Sequence, residues 1–181
     1  MHITPVFAVR ARRAAASSLL GLLVLLGGCA QAPVRRPATA PPPAPRVWPQ
    51  VPPSNPAAAN NILMRALGLV GTPYRFGGNT PETGFDCSGL VTYVYKDVLA
   101  LSLPRTSREL AAVQGPRIPQ EKLTTGDLVF FGSSGNVTHV GIYVGEGRFV
   151  HAPTTGGTVR LDFLDGAYWR DHYSGSKRVL P

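Results

Sequence analysis

Gly84-Phe85-Asp86-Cys87-Ser88-Gly89-Leu90-Val91 carries a cysteine across the junction between a loop rich in glycine and proline and an amphipathic run. Asp86 is a good helix N-cap, and Leu90, Val91, Val94 and Val98 recur at helical spacing, which predicts a helix from Cys87 to Leu99. The free N–H groups and positive dipole end of such a helix favour a thiolate, and a nearby histidine would favour it further. The same N–H groups suit the oxyanion of an acyl-transfer intermediate. Cys87 also continues the apolar stripe, so a small buried hydrophobe packed on the core is the competing reading.

Around this junction the pattern predicts helices at Asn60 to Val70 and Thr106 to Val113, the latter capped by Thr106 or Ser107. Strands follow at Leu128 to Phe131, His139 to Val144, Phe149 to His151, Thr158 to Phe163 and near Arg178 to Leu180. Turn signals such as Thr125-Gly126-Asp127 and Gly145-Glu146-Gly147 separate them. Helices first and hairpin-linked strands afterwards imply an α+β domain with an antiparallel sheet. In His139-Val140-Gly141-Ile142-Tyr143-Val144 the alternation sets His139 on the face opposite Val140, Ile142 and Val144. Phe149 and His151 share a face of the next strand, and the intervening turn makes the two strands antiparallel neighbours. His139 and His151 can therefore approach each other, and with Cys87 they would supply nucleophile, base and orienting group. Singly, each histidine also reads as a satisfied sheet residue.

The N-terminus speaks to compartment. Arg10, Arg12 and Arg13 precede the apolar run Leu19 to Leu26, which is short for a membrane span and ends in Gly27-Gly28-Cys29. Leu26-Gly27-Gly28-Cys29 resembles a bacterial lipobox, which implies a signal peptide over residues 1–28 and lipidation of Cys29. Ala30 after it favours, by analogy with lipoprotein sorting in Gram-negative bacteria, the periplasmic face of the outer membrane. An uncleaved anchor with an incidental Cys29 is the alternative. Residues 29–56 then form a Pro/Ala-rich tether, in which Trp48 reads foremost as a solvated aromatic with docking on the domain as the alternative, and residues 57–181 form one domain. The chain holds only two cysteines, so lipidation of Cys29 leaves Cys87 without a disulfide partner in its own chain. The net charge of +8 includes six arginines among the first 46 residues. About +2 is left for the domain, too little for the clustered basic face of a nucleic-acid binder. No Walker, dinucleotide-binding or paired-cysteine metal signature occurs.

Six stretches stand in one order: Thr72-Pro73-Tyr74-Arg75-Phe76-Gly77-Gly78, Gly84 to Val91, Leu103-Pro104-Arg105-Thr106-Ser107, Gly126 to Phe131, His139 to Tyr143 and Phe149 to Pro153. Together they resemble the NlpC-type peptidoglycan cysteine peptidases, closest to the single-domain murein endopeptidase lipoproteins. The resemblance implies a papain-like α+β fold with the nucleophilic helix packed on an antiparallel sheet. It implies hydrolysis of amide bonds in peptidoglycan stem peptides or crosslinks, D,D-endopeptidase activity foremost, with no cofactor and no metal. Carried over by residue, it makes Cys87 the nucleophile, His139 the base and His151 the third, polar member. Tyr74 would help bind the oxyanion or substrate, and Asp86 and Ser88 would line the substrate groove. Asp86 is equally explained as a helix cap, and Arg105 and Ser107 read as a structural turn and cap. Leu110 stands where many relatives have Gln, a departure with the potential to alter the groove. A zinc site of Cys87, His139 and His151 lacks the usual local ligand spacing. A non-catalytic wall-binding lipoprotein and a thiol amidase or acyltransferase of different acyl specificity remain the other readings.

Overall fold

The computed structural model describes residues 46–154 and 157–180. The expected signal segment, Cys29 and the expected tether up to residue 45 lie outside the described residues.

Helix α1 spans Pro56–Gly68, with the Asn55 side chain accepting from the Ala58 N–H and Pro56 at the first helical position. It starts four residues before the expected Asn60, because this cap and proline lie inside the Pro/Ala composition that reads as tether. Helix α2 runs from Cys87 to Leu99 as expected, capped by Asp86 and closed by Ala100 in the left-handed conformation. Helix α3, Ser107–Ala112, opens with a capping box in which Thr106 and Glu109 satisfy each other's backbone N–H. Leu110 on α3 is fully buried in the core, so this side chain, expected as a possible influence on the groove, packs inward instead.

Five antiparallel strands follow: β3 (Leu128–Ser133), β4 (Asn136–Gly145), β5 (Arg148–His151), β6 (Arg160–Phe163) and β7 (Tyr173–Lys177). Their order across the sheet is β6-β5-β4-β3-β7. The sequence does not announce the small ladder of β1 (Asn79–Thr80) with β2 (Gly84–Phe85), nor helix α4 (Ala167–His172). The last strand also ends before the expected Arg178. There the Arg178 guanidinium turns away to grip the buried Asp127 carboxylate at 2.8 Å through both Nε and Nη2, and Leu180 drops into the core.

Period-two alternation gives the sheet two apolar faces. Leu128, Phe130, Val140, Ile142 and Val150 pack against α1, α2 and α3, while Val129, Phe131, Tyr143 and Phe149 form a second cluster with Leu123, Leu164 and Trp48. In β4 the register slips: Phe131 pairs with His139 but Gly132 pairs with Val137, so Thr138 is an extra residue. This bulge lets Val137 reach the helix-side core although it lies three residues from Val140.

Trp48 takes the docked alternative rather than the solvated one. It is 9 % exposed and closes the second cluster, with its indole resting on Gly147, where even a Cβ would come within 2.2 Å of the ring. Thr124 Oγ1 donates to the Val51 carbonyl at 2.7 Å and holds the following backbone down. An aromatic large enough to fill a slot wins over the extended preference of its prolines. Trp48→Ala is expected to destabilise the domain by about 3 kcal/mol, read as a lower urea midpoint at unchanged slope; a midpoint equal to that of the wild type would show that the contact contributes nothing.

Candidate active site

The start of α2 is built around one carboxylate. Asp86 Oδ1 accepts from the Gly89 N–H at 2.7 Å and from Ser88 Oγ at 3.2 Å, and Oδ2 accepts from the Gly77 N–H at 2.9 Å. Arg105 adds a fork, Nη1 to Oδ1 at 2.9 Å and Nη2 to Oδ2 at 2.7 Å, and also donates to Ser88 Oγ and the Gly78 carbonyl. Burial raises the Asp86 pKa, but the hydrogen bonds from Arg105 and Gly89 outweigh it and hold the carboxyl below its usual range. Asp86 and Ser88 thus both border the groove and clasp it together.

Cys87 follows directly, partly exposed, with its inner side against the core. It lines a groove of about 440 Å³ with Tyr74, Phe76, Ser88, Arg105 and Thr138. The structure therefore joins the two readings of this cysteine: it packs like a core residue and opens to solvent. Arg105 and Ser107, expected to be mainly structural, border the same groove. Burial raises the Tyr74 pKa, and the adjoining Cys87 and Asp86 add to the rise, so the phenol is a neutral donor facing the sulfur's surroundings.

The histidines come together as their register dictates. Ile142 pairs with Val150, which places His139 diagonally across from His151, and His139 Nε2 meets His151 Nδ1 at 2.9 Å. Gly141 makes room between them: a Cβ there would lie 2.6 Å from the Phe149 ring and 3.3 Å from the His151 Cβ. His151 is fully buried, and its Nε2 lies 3.0 Å from Asp162 Oδ2. His139 lines a second groove of about 620 Å³ with Thr138, Arg160, Tyr168 and Trp169. Thr138, the bulged residue, borders both grooves, and the Val140 backbone next to His139 approaches the Cys87 sulfur. Cys87 and His139 thus border, from two grooves, the same bulged residue.

Two residues at this site escaped the sequence reading. Asp162 and Trp169 close over the imidazoles, with the Trp169 ring 4.7 Å from His151 and 5.2 Å from His139. Asp162 was within reach of strand logic, since it pairs with Phe149 and so shares the face of His151. Trp169 sits on α4, which has no sequence pattern to reveal it.

Burial also reverses one electrostatic expectation. The helix start was expected to favour a thiolate. In the folded chain desolvation pushes the Cys87 thiol upward, the nearby Asp86 charge adds to the rise, and the backbone N–H groups of Val140 and Ser88 offset only part of it. Desolvation likewise pushes His139 down to about 3 and His151 to about 4. Burial thus pushes both the Cys87 thiol and the two imidazoles toward their neutral forms.

Residues 71–178 match the NlpC/P60 family. This chain belongs to that family. Murein DD-endopeptidase MepH of Escherichia coli K12 is 46% identical over 125 residues, which cover 67% of this chain and 45% of that protein. The chain spans about half the length of the curated relatives it matches. Among solved structures, the NlpC/p60 domain of the peptidoglycan hydrolase SagA superposes with a TM-score of 0.60 at 31% identity, covering 67% of this chain and 98% of that one. RipD of Mycobacterium tuberculosis, described as a non-catalytic NlpC/p60 domain protein adapted to peptidoglycan binding, gives 0.57 at 26% identity over 68% of this chain and 98% of that one. The papain-like α+β architecture expected from the motifs is the one these neighbours share.

A neutral resting pair has a measurable signature. Alkylation of Cys87 by iodoacetamide should be slow at neutral pH and climb through and beyond the ordinary thiol range of about pH 8.5. A plateau of fast reaction between about pH 4 and 7, as a thiolate–imidazolium pair gives, would contradict this assignment.

Proposed function

We propose that this chain is a peptidoglycan hydrolase that cleaves amide bonds of stem peptides or crosslinks with Cys87, His139 and His151, acting foremost as a murein D,D-endopeptidase. The observation that carries the reading is the convergence at the Thr138 bulge of a groove holding Cys87 and a groove holding a hydrogen-bonded histidine pair. The family and the activities of MepH and SagA support the substrate class. The non-catalytic RipD shows that this fold alone does not decide catalysis, so the weight rests on these side chains.

The chemistry follows from the resting state. His139 takes the Cys87 proton as the sulfur attacks the scissile carbonyl, forming the C–S bond. The N–H groups at the start of α2 and the Tyr74 hydroxyl meet the oxyanion. The imidazolium of His139 passes its proton to the nitrogen as the C–N bond breaks and the amine departs. Water, deprotonated by His139, then attacks the thioester, and the thiol is restored. Because the thiolate forms only during attack, buried neutral groups cost no stored charge between turnovers. Leaving amines would occupy the His139 groove, where Arg160 and His172 offer cationic or donor groups, and acyl portions the groove of Tyr74 and Arg105.

The same proposal places the domain on a lipid anchor at Cys29, at the periplasmic face of the outer membrane, with the residues before Arg46 as tether. It rests on the lipobox-like Leu26-Gly27-Gly28-Cys29 and on Ala30. Several acyl chains on one residue would anchor stably where one would not. No partner beyond peptidoglycan and membrane enters the proposal.

Digestion of crosslinked muropeptides, read by mass spectrometry, should convert dimers to monomers cut at the crosslink. Cys87→Ala should lose this activity by at least a thousandfold while keeping the wild-type circular dichroism. Cleavage within the stem would replace the D,D assignment, and sacculus binding without any new product would favour a binding module. Growth with an alkyne analogue of palmitate should label the chain and not its Cys29→Ala variant; equal labelling of both would remove the anchor.

A further inference from the structure

The strongest unassigned group lies behind the histidines. Asp162 Oδ2 accepts from His151 Nε2 at 3.0 Å, Trp169 Nε1 at 2.8 Å, and Arg160 through Nε at 3.2 Å and Nη2 at 2.9 Å. Three side chains from two strands and a helix converge on one oxygen of a carboxylate only 23 % exposed. Burial opposes ionisation of Asp162, yet the hydrogen bonds of Arg160 and Trp169 and the charges around it hold its pKa below the ordinary value. It is therefore an acceptor only.

That fact fixes protons along the chain of contacts. A carboxylate cannot donate, so His151 Nε2 carries the hydrogen. A neutral imidazole has one N–H, so His151 Nδ1 is a bare lone pair, and the 2.9 Å contact requires His139 Nε2 to donate into it. The remaining nitrogen of His139, Nδ1, is then the basic one. Trp169 locks the arrangement from above, edge-on to His151 at 85° and joined to Asp162 by its own N–H. When the His139 ring becomes charged during attack, its Nε2–H still donates to His151, and the Asp162 charge favours both imidazolium forms.

We propose that Asp162 is a positioning residue whose carboxylate sets the tautomers of both histidines and leaves Nδ1 of His139 as the nitrogen that exchanges a proton with Cys87. The catalytic part of this assignment rests on the hydrolase reading above; the tautomer part does not.

The test is ring nitrogen-15 NMR of the full-length chain, selectively labelled at histidine, together with muropeptide kinetics. In the wild type at pH 7, His139 and His151 should both appear as Nε2–H tautomers. Asp162→Ala should move one or both rings toward the Nδ1–H form or into exchange, and lower kcat at least tenfold with KM within twofold. Asp162→Asn, which keeps an acceptor and removes the charge, should fall between and lower the pH at which His151 titrates. A folded Asp162→Ala chain with both rings still Nε2–H and kcat within twofold of wild type would overturn the proposal. If the alanine variant does not fold, an asparagine variant with unchanged His151 titration and unchanged kcat would overturn it equally. Nε2–H tautomers in a wild-type chain that cleaves nothing would support the tautomer assignment and defeat the hydrolase reading.

Discussion

The fork between Arg105 and Asp86 is the interaction on which the site depends. A single carboxylate caps α2, receives the Gly77 N–H from the loop that carries Tyr74, and takes both Nη groups of the residue just ahead of α3. Three segments of the chain are therefore joined by three hydrogen bonds on two oxygens, while a fourth, from Gly89, caps the helix. Charge-assisted, bidentate geometry gives such a joint direction as well as strength. Together with the backbone hydrogen bonds that join the Tyr74 loop to Phe85 and Asp86, it gives Cys87, Tyr74 and the groove wall at Thr106 and Ser107 a common reference.

Desolvation gives the site its chemical character. The end of a helix attracts negative charge, but the sulfur lies where the α2 stripe meets the sheet, and there the loss of water outweighs the dipole. The histidines experience the same loss from the other side of the sheet, under Phe131, Phe149 and Trp169. Burial thus pushes Cys87 and both histidines toward their neutral forms, and hydrogen bonds, with His139 against His151 and His151 against Asp162, hold the rings in place. A layer that looks like packing thus governs protonation.

Much of this was legible beforehand. The span of α2, the cap at Asp86, the α+β class and the pairing of β4 with β5 all follow from short-range rules of capping and alternation, and the meeting of His139 with His151 follows from that pairing. What escaped has a common physical cause. Trp48 is buried by a slot that exists only once β4, β5 and the segment after β6 have assembled. Helix α4 is short, lacks a side-chain cap and buries no residue completely, so it has no periodic signature. Strand β7 stops where a long-range ion pair with Asp127 pulls the chain away.

The sequence alone determined which residues can do chemistry and on which elements they stand, because capping, alternation and turn residues act over a few positions. Tertiary structure decided their surroundings: which lose water, which imidazole nitrogens face each other and Asp162, and whether Asp86 and Ser88 clasp as well as line the groove. These depend on burial and on hydrogen bonds such as Asp162 to His151 and Arg105 to Asp86, formed between segments 11 and 19 residues apart. Solvation and donor geometry are properties of the assembled environment, and no local stretch of chain contains them.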